Sequence, residues 1–185
     1  MRTSYHAPSP ALLEECLKDM ATGNQNALAT LYEHTATALF SYILSVLKNR
    51  PDAEDTLQDC YLRILGAAPH YRSQGKPLAW MLTVARNLCM QRLRERQRET
   101  PLLEDGVNLF EETDGRLSME DKTVLRECLT TLSDEERQIV VLHAVAGFRH
   151  REIAALLDLP LATVLSKYHR ALKKLKTELT KGDPT

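Results

Sequence analysis

The chain has 185 residues and a formal net charge of -1. Hydrophobic residues make up 43% and charged residues 26%, a balance typical of folded globular proteins that excludes disorder throughout. No apolar stretch approaches the length of a bilayer span and residues 1–10 contain no apolar signal core, so we expect a cytoplasmic protein without membrane insertion.

Apolar residues recur mostly at helical spacing, which predicts an all-α protein. A first long helix has its apolar face at Leu28, Leu31, Tyr32, Thr35, Leu39, Tyr42, Ile43 and Val46. Pro51 is expected to end this helix. A second helix, capped near Asp52, turns Ala53, Leu57, Tyr61 and Ile64 inward, and Gly66 is expected to end it.

Residues 67–76 contain Pro69, Ser73 and Gly75 and are predicted to form a loop. Pro77 suits the first position of the next helix, which should extend to about Arg98. Its apolar stripe is Leu78, Met81, Leu82, Ala85, Leu88 and Cys89. Its opposite stripe is Trp80, Thr83, Asn87, Gln91 and Arg94.

Helical periodicity disappears from residue 99 to residue 118, where the composition becomes acidic and includes Pro101, Gly106 and Gly115. We therefore predict two small helical domains, residues 1–98 and 119–185, joined by a flexible acidic linker. Ser133 and Glu136 have the spacing of a capping box, so a helix should begin near Asp134, bury Ile139, Val140 and His143, and close at Gly147.

The end of the chain has the pattern of a helix-turn-helix. A short helix over residues 150–157 is followed by a tight turn at residues 158–160. A longer helix then turns Val164, Tyr168, Leu172 and Leu175 inward. Its outward positions are Thr163, Leu165, Ser166, Lys167 and Arg170, followed by Lys173 and Lys174.

Basic residues cluster in two blocks, which favours contact with a nucleic acid. One block contains Arg86, Arg92, Arg94, Arg96 and Arg98. The other contains Lys167, Arg170, Lys173, Lys174, Lys176 and Lys181. The second block lies on the helix that would enter a major groove, although a solvated lysine face is the simpler alternative.

The Pro77 helix offers a different kind of surface. Trp80 can stack on a base, Asn87 and Gln91 supply paired donors and acceptors, and the arginines neutralise phosphates, which together suit an unstacked strand. The alternatives are a core role for Trp80 and arginines that serve only the helix terminus and solvent.

Two segments resemble the extracytoplasmic-function sigma factors of RNA polymerase. Residues 52–59 (DAEDTLQD) and 80–88 (WMLTVARNL), with the arginines that follow, are similar to their region 2. Residues 132–137 (LSDEER) and 152–157 (EIAALL), with Thr163 and Val164, are similar to their region 4.

The resemblance implies a factor that binds core polymerase, recognises promoters and initiates transcription without being an enzyme. Docking on the clamp helices of the largest subunit would involve Asp52, Glu54, Asp55, Gln58, Asp59 and Arg63. Opening of the minus-10 element, single-stranded, would involve Ser73, Lys76, Trp80, Asn87, Gln91, Arg94 and Arg98. The minus-35 duplex would be bound by Thr163, Ser166, Lys167, Arg170, Lys173 and Lys174.

The same resemblance implies contact with the polymerase flap, an anti-sigma factor as a further partner, a monomeric state and no cofactor. Cys16, Cys60, Cys89 and Cys128 stand singly, so we expect buried thiols rather than a metal site. The main alternative is a helix-turn-helix regulator whose first domain senses a ligand. An enzyme is a distant third alternative. The isolated histidines and the lack of a phosphate-binding loop count against it.

Overall fold

The computed structural model describes residues 8–99 and 129–181; of Gln25, Glu99 and Lys181 only the backbone is described. Helix α1 spans Pro10–Ala21 and α2 spans Gln25–Leu47. The Asn24 side chain caps α2 by accepting the Asn26 N–H at 3.1 Å. Lys48, in the left-handed conformation with φ of 58°, ends it.

Helix α3 spans Arg50–Ala67, and both of its expected boundaries were wrong. The cap is Asn49, whose side chain accepts the Asp52 N–H at 3.0 Å. Pro51 lies in the first turn of α3, where its missing N–H costs no hydrogen bond, so it does not end α2. Gly66 lies within α3, and a 3-10 turn over Ala68–His70 follows directly.

Helix α4 spans Pro77–Glu99 and begins at the proline, as predicted. Its buried stripe packs with α2 and α3, except that Leu88 stays partly exposed. Across this core, the Thr35 and Tyr61 hydroxyls lie 2.7 Å apart in a hydrogen bond that ties α2 to α3. Of the predicted α2 face, Tyr32 is 48% exposed and the remainder is buried or partly buried.

The C-terminal part contains α5 at Asp134–Ala144, α6 at His150–Leu157 and α7 at Leu161–Lys181. The predicted capping box is formed, with the Ser133 N–H donating to Glu136 at 2.9 Å and the Glu136 N–H to the Ser133 hydroxyl at 3.3 Å. Asp158, with φ of 56°, makes the turn between α6 and α7. These elements confirm the helix-turn-helix.

Three positions that were predicted to be buried are exposed or only partly buried. Leu172 is 43% exposed, and Ala171, next to it, is fully buried. In α5, Ile139 is fully buried as expected, whereas Val140 and His143 are only partly buried and Leu142 is fully buried. Because Ala171 is small, α7 can pack close to its neighbours at this position. The hydrophobic pattern alone does not reveal that contact.

The two groups of helices touch. Helix α5 packs against α2, and α6 packs against α4, so buried residues of both groups form one continuous core. The predicted linker over residues 99–118 lies, apart from Glu99, outside the described residues.

Three cysteines, Cys16, Cys60 and Cys89, are buried and unpaired, as expected; Cys128 lies outside the described residues. Burial raises the pKa of the Cys60 and Cys89 thiols to about 12, so neither is a reactive thiolate near neutral pH. In the described ranges, no group of histidine, cysteine or acidic side chains is placed to hold a metal ion, and no helix is long and apolar enough to cross a bilayer.

Candidate nucleic-acid interface

One face of α4 carries the polar stripe that the sequence singled out. Successive residues of a helix are about 100° apart, so spacings of three, four and seven keep side chains on one side. Thr83, Asn87, Gln91 and Arg94 follow that spacing and are exposed, and Arg98 continues it. The stripe thus ends in two guanidinium groups suited to phosphates.

Trp80, at the start of the stripe, is partly exposed and packs on Tyr71 with ring centroids 4.7 Å apart. The Tyr71 hydroxyl donates to Glu14 of α1 at 2.9 Å. Burial, together with this bond to Glu14, raises the pKa of Tyr71 to about 12, so it remains a neutral donor. Trp80 therefore packs against Tyr71 and the core and remains partly exposed.

A cleft of about 580 Å³ opens between the predicted loop and the helix-turn-helix, a volume in the range of ligand pockets. The loop contributes Gln74 and Lys76, α4 contributes Trp80, and α6 contributes Glu152 and Leu156. Ser73 is exposed in the same loop. The loop lies between the 3-10 turn that ends at His70 and the start of α4 at Pro77, so helical elements anchor it at both ends.

The arginine block divides into two sets. Arg92 and Arg96 continue the buried side of α4 and reach the acidic residues of α3. Arg92 lies 3.2 Å from Asp59 and 3.9 Å from Asp55, and Arg96 lies 3.0 Å from Asp52. Arg94 and Arg98, on the opposite side, remain exposed. Only the second set faces solvent with the polar stripe.

The outer face of α3 is acidic and also carries two leucines that the sequence reading missed. Leu62 is 67% exposed and Leu65 is 40% exposed. A second cleft of about 660 Å³ beside them is lined by Asp59, Leu62, Arg63, Gly66, Ala67, Leu88, Gln91, Arg92 and Glu95. The sequence did contain a signal for their exposure. Leu62 and Leu65 lie between polar residues and do not share the helix face of Leu57 and Ile64.

The outward face of α7 carries the predicted duplex-binding residues. Ser166, Arg170 and Lys173 are exposed, and Thr163 is partly exposed. Leu165, 37% exposed, shares this surface. An apolar side chain here can contact a thymine methyl group, the one apolar feature of the major-groove code.

Two predicted lysines are engaged inside the C-terminal part. The Lys167 ammonium lies 2.6 Å from Glu135, and the Lys174 ammonium donates to Glu136 at 2.6 Å. Burial of Glu136 opposes its ionisation, but hydrogen bonds from Lys174 and Ser133 outweigh it and lower the pKa of Glu136. Lys174 is thus fixed to the capping box, and Lys167 is held by Glu135 of α5.

An aromatic cluster holds α6 against α7. The rings of His143 and His150 stack at 4.6 Å, and Tyr168 meets both edge-on at 4.9 and 4.7 Å. Burial, then the neighbouring His143 and His169, lower the pKa of His150, so this ring is neutral near pH 7. These ring contacts pack α5 and α6 against α7.

Comparison with known proteins matches two family descriptions in chain order: Sigma-70 region 2 over residues 31–99, and Sigma-70, region 4 over residues 122–175. The ECF RNA polymerase sigma factor SigK of Mycobacterium ulcerans is 30% identical over 171 residues, covering 89% of this chain and 91% of SigK. SigK of Mycobacterium tuberculosis H37Rv is 29% identical over the same length, with the same shares covered.

Two solved structures share the fold. CnrH, in complex with the cytosolic domain of CnrY, aligns with a TM-score of 0.64 at 22% identity, covering 93% of this chain and 99% of CnrH. The sigma factor RpoE of Bartonella quintana, in complex with the anti-sigma factor NepR, aligns with a TM-score of 0.65 at 24% identity. That match covers 79% of this chain and 92% of RpoE.

Proposed function

The chain belongs to the ECF sigma factors of RNA polymerase, and from that premise we propose which of its surfaces binds polymerase and which binds each promoter element. A sigma factor binds core polymerase, directs it to promoters and starts transcription; it is not an enzyme. The observation that carries the assignment of surfaces is the exposed stripe of α4, which leads from Trp80, beside the loop, past Asn87 to two exposed arginine side chains near the other end of the helix.

The polymerase would dock on the outer face of α3. That face combines exposed carboxylates, Gln58 and Arg63 with the exposed Leu62 and Leu65, which gives an apolar centre within a polar rim. The proposed set is Asp52, Glu54, Asp55, Gln58, Asp59 and Arg63, with Leu62 and Leu65 added. Its partner surface is the clamp helices of the largest subunit.

We expect the double substitution Asp55→Lys and Asp59→Lys to weaken binding to core polymerase roughly tenfold or more. The new lysines would carry the same charge as the polymerase surface that complements the native carboxylates, and like charges oppose association. Fluorescence anisotropy titration of the labelled factor with core polymerase measures this. Glu33→Lys, at an exposed acidic residue of α2, makes a single charge reversal elsewhere and should leave affinity unchanged. If the double variant keeps its helical content and binds core polymerase with wild-type affinity, this face of α3 is not the docking site.

The minus-10 strand would lie along α4. The loop with Ser73 and Lys76 forms one wall of the cleft, and Trp80 forms another. Asn87 and Gln91 would pair with an exposed base, and Arg94 and Arg98 would hold phosphates. Stacking and hydrogen bonding together offset the cost of taking a base out of the duplex.

The minus-35 duplex would be bound by α7, with Thr163, Ser166, Arg170 and Lys173 facing the groove. Lys167 and Lys174, also in the predicted set, would have to leave Glu135 and Glu136 to reach a phosphate. Leu165 would contact thymine methyl groups. The proposal therefore ranks Arg170 and Lys173 above the two paired lysines.

We expect Arg170→Ala to weaken binding of all minus-35 duplexes about equally and to reduce the salt slope by about one unit, as loss of one phosphate contact does. Lys167→Ala should have a smaller effect, since its ammonium is already bound to Glu135. Lys18→Ala, on α1, serves as the control. Titration of polymerase holoenzyme on promoter duplex at several salt concentrations gives the slopes, and an unchanged slope for Arg170→Ala would place the phosphate contacts elsewhere.

CnrH is bound to the cytosolic domain of CnrY in its structure, and the Bartonella RpoE is bound to the anti-sigma factor NepR. We propose that an anti-sigma protein likewise binds this chain.

We also propose that the C-terminal part of the chain contacts the polymerase flap, and that the protein works as a monomer in the cytoplasm. In this proposal the first domain ends at residue 98 and the second domain begins at residue 119. A ligand-sensing first domain receives no support, since region 2 occupies residues 31–99.

A further inference from the structure

Helix α1 buries a carboxyl group among apolar side chains. Glu14 is only 8% exposed, and Leu13 and Leu17 on the same helix are fully buried. The Glu14 Oε1 atom accepts the Tyr71 hydroxyl at 2.9 Å, and its Oε2 atom is buried with no hydrogen-bond partner among the described residues. Burial of an incompletely paired polar group costs stability, and an apolar side chain would fill this position without that cost. The packing of α1 alone therefore does not explain Glu14.

Tyr71 connects Glu14 to the loop before α4. Tyr71 directly follows the 3-10 turn, against which α1 packs. Burial and then the hydrogen bond to Glu14 raise the pKa of Tyr71, and a hydrogen bond with the Gln74 backbone acts in the opposite direction. Only a donor to the hydroxyl oxygen favours the phenolate, so the Gln74 group is the backbone N–H. The Tyr71 hydroxyl thus donates to Glu14, accepts from Gln74 and bridges α1 and the loop.

The middle of this loop has little backbone support of its own. Residues 72–75 are exposed and take part in no backbone–backbone hydrogen bond with the described residues. Such bonds are made only at the two ends of the loop, from the Tyr71 N–H to Ala68 and from the Trp80 N–H to Lys76. The hydroxyl of Tyr71 is therefore placed to fix the backbone of the loop at Gln74, and Glu14 fixes that hydroxyl.

The same loop forms a wall of the cleft proposed for the minus-10 strand. Tyr71, Gln74, Lys76 and Trp80 line that cleft, whereas Glu14 is not among its lining residues. Glu14 also lies outside residues 31–99, the part of the chain that matches Sigma-70 region 2.

We propose that Glu14 is a positioning residue for base selection in the minus-10 strand. Through the Tyr71 hydroxyl it holds residues 71–76 in the conformation that receives an unpaired base. Glu14 itself does not touch the strand, because the Tyr71 side chain lies between it and the loop. The proposal rests on the proposed function of the α4 surface.

Glu14→Leu and Tyr71→Phe should each reduce base selection roughly tenfold, the change that loss of one buried hydrogen bond produces in an equilibrium constant. Glu14→Leu removes the acceptor, whereas Tyr71→Phe removes only the hydroxyl and keeps a ring against Trp80. Because both changes remove the same bond, the double variant should lose no more selection than either single variant. Glu14→Gln retains an oxygen acceptor and should keep most of the selection.

Permanganate footprinting with polymerase holoenzyme measures base selection. The probes are a promoter that the holoenzyme opens and variants of it with each minus-10 base changed in turn, compared at unpaired thymines that all of them share. A merely structural loss lowers opening of every promoter together and leaves the ratio between them unchanged. Tyr61→Phe is the matched control, since it removes a buried tyrosine hydroxyl that bonds Thr35 within the helical core. Glu15→Leu, at an exposed carboxylate of α1, is the second control, and both should keep the wild-type ratio.

Amide hydrogen exchange of the free protein, followed by NMR, tests the positioning without polymerase or promoter. Glu14→Leu and Tyr71→Phe should speed exchange of the Gln74 N–H roughly tenfold, while Tyr61→Phe and Glu15→Leu leave it unchanged. Wild-type exchange at Gln74 in the first two variants, or an equal fall in base selection in Tyr61→Phe, would overturn the proposal. If Glu14→Leu loses helicity, Tyr71→Phe decides. A wild-type holoenzyme that opens no promoter would instead contradict the proposed function, and exchange at Gln74 separates that failure from a failure of the positioning.

Discussion

Replacing Asn87 by alanine is expected to reduce strand opening at the minus-10 element roughly tenfold to a hundredfold while polymerase binding is retained. The side chain is exposed in the middle of α4 and has no place in the core, so its loss leaves the helix intact. A paired hydrogen bond to a base edge contributes about 1 to 3 kcal/mol, which is a large share of the few kcal/mol that base extrusion costs.

Permanganate footprinting of unpaired thymines on a promoter that the holoenzyme opens measures this effect. Gln97→Ala removes the same kind of amide from an exposed position of α4 outside the stripe and should leave reactivity unchanged. Replacement of Ser73 to Lys76 by a flexible linker should also prevent opening, because one wall of the cleft is lost. Undiminished thymine reactivity in Asn87→Ala would move the melting surface away from this stripe.

Arg137→Ala is expected to cause the largest loss of stability among single substitutions outside the apolar core, about 3 kcal/mol. Its guanidinium is only 3% exposed and donates to the carbonyl oxygens of Leu129 at 3.2 Å and Leu132 at 3.0 Å, and to Asp134 at 3.2 Å. Alanine removes the Arg137 donor from the buried Leu132 carbonyl oxygen, at about 1 to 3 kcal/mol for a buried acceptor, and leaves the Leu129 carbonyl oxygen with only the Leu132 N–H at 3.4 Å.

Urea unfolding followed by circular dichroism gives the change in unfolding free energy. Arg151→Ala removes an exposed arginine of α6 and should alter it by no more than about 0.5 kcal/mol. Because Arg137 belongs to the C-terminal part, minus-35 duplex binding should be lost while docking through α3 persists. Equal midpoints for Arg137→Ala and Arg151→Ala would show that the buried bonds contribute little.

Local signals in the sequence were sufficient for several elements. The Ser133 and Glu136 spacing located the start of α5, and Pro77 located the start of α4, because capping and proline effects act within one turn. The same locality misled at Pro51, since a proline that breaks a helix interior is also tolerated in a first turn. Helix α1 was missed although Leu13, Cys16, Leu17 and Met20 carry its buried face.

The hydrophobic pattern of the sequence could not predict contacts between helices that are distant in sequence. The arginine block gave no indication that Arg92 and Arg96 would reach the carboxylates of α3, because that pairing depends on how α3 and α4 pack. The burial of Leu44 likewise depends on α5, some ninety residues later. The stripe of Asn87 and Arg94 was predictable, since it needs only one helix and its period.

Transcription by core polymerase with and without this protein, on a library of promoter-like duplexes, tests the central claim most directly. The account predicts defined start sites that appear only when the protein and core polymerase are both present, with a shared pair of sequence elements upstream of each. Specific binding of the protein alone to duplex, together with no new start sites on addition of polymerase, would contradict it.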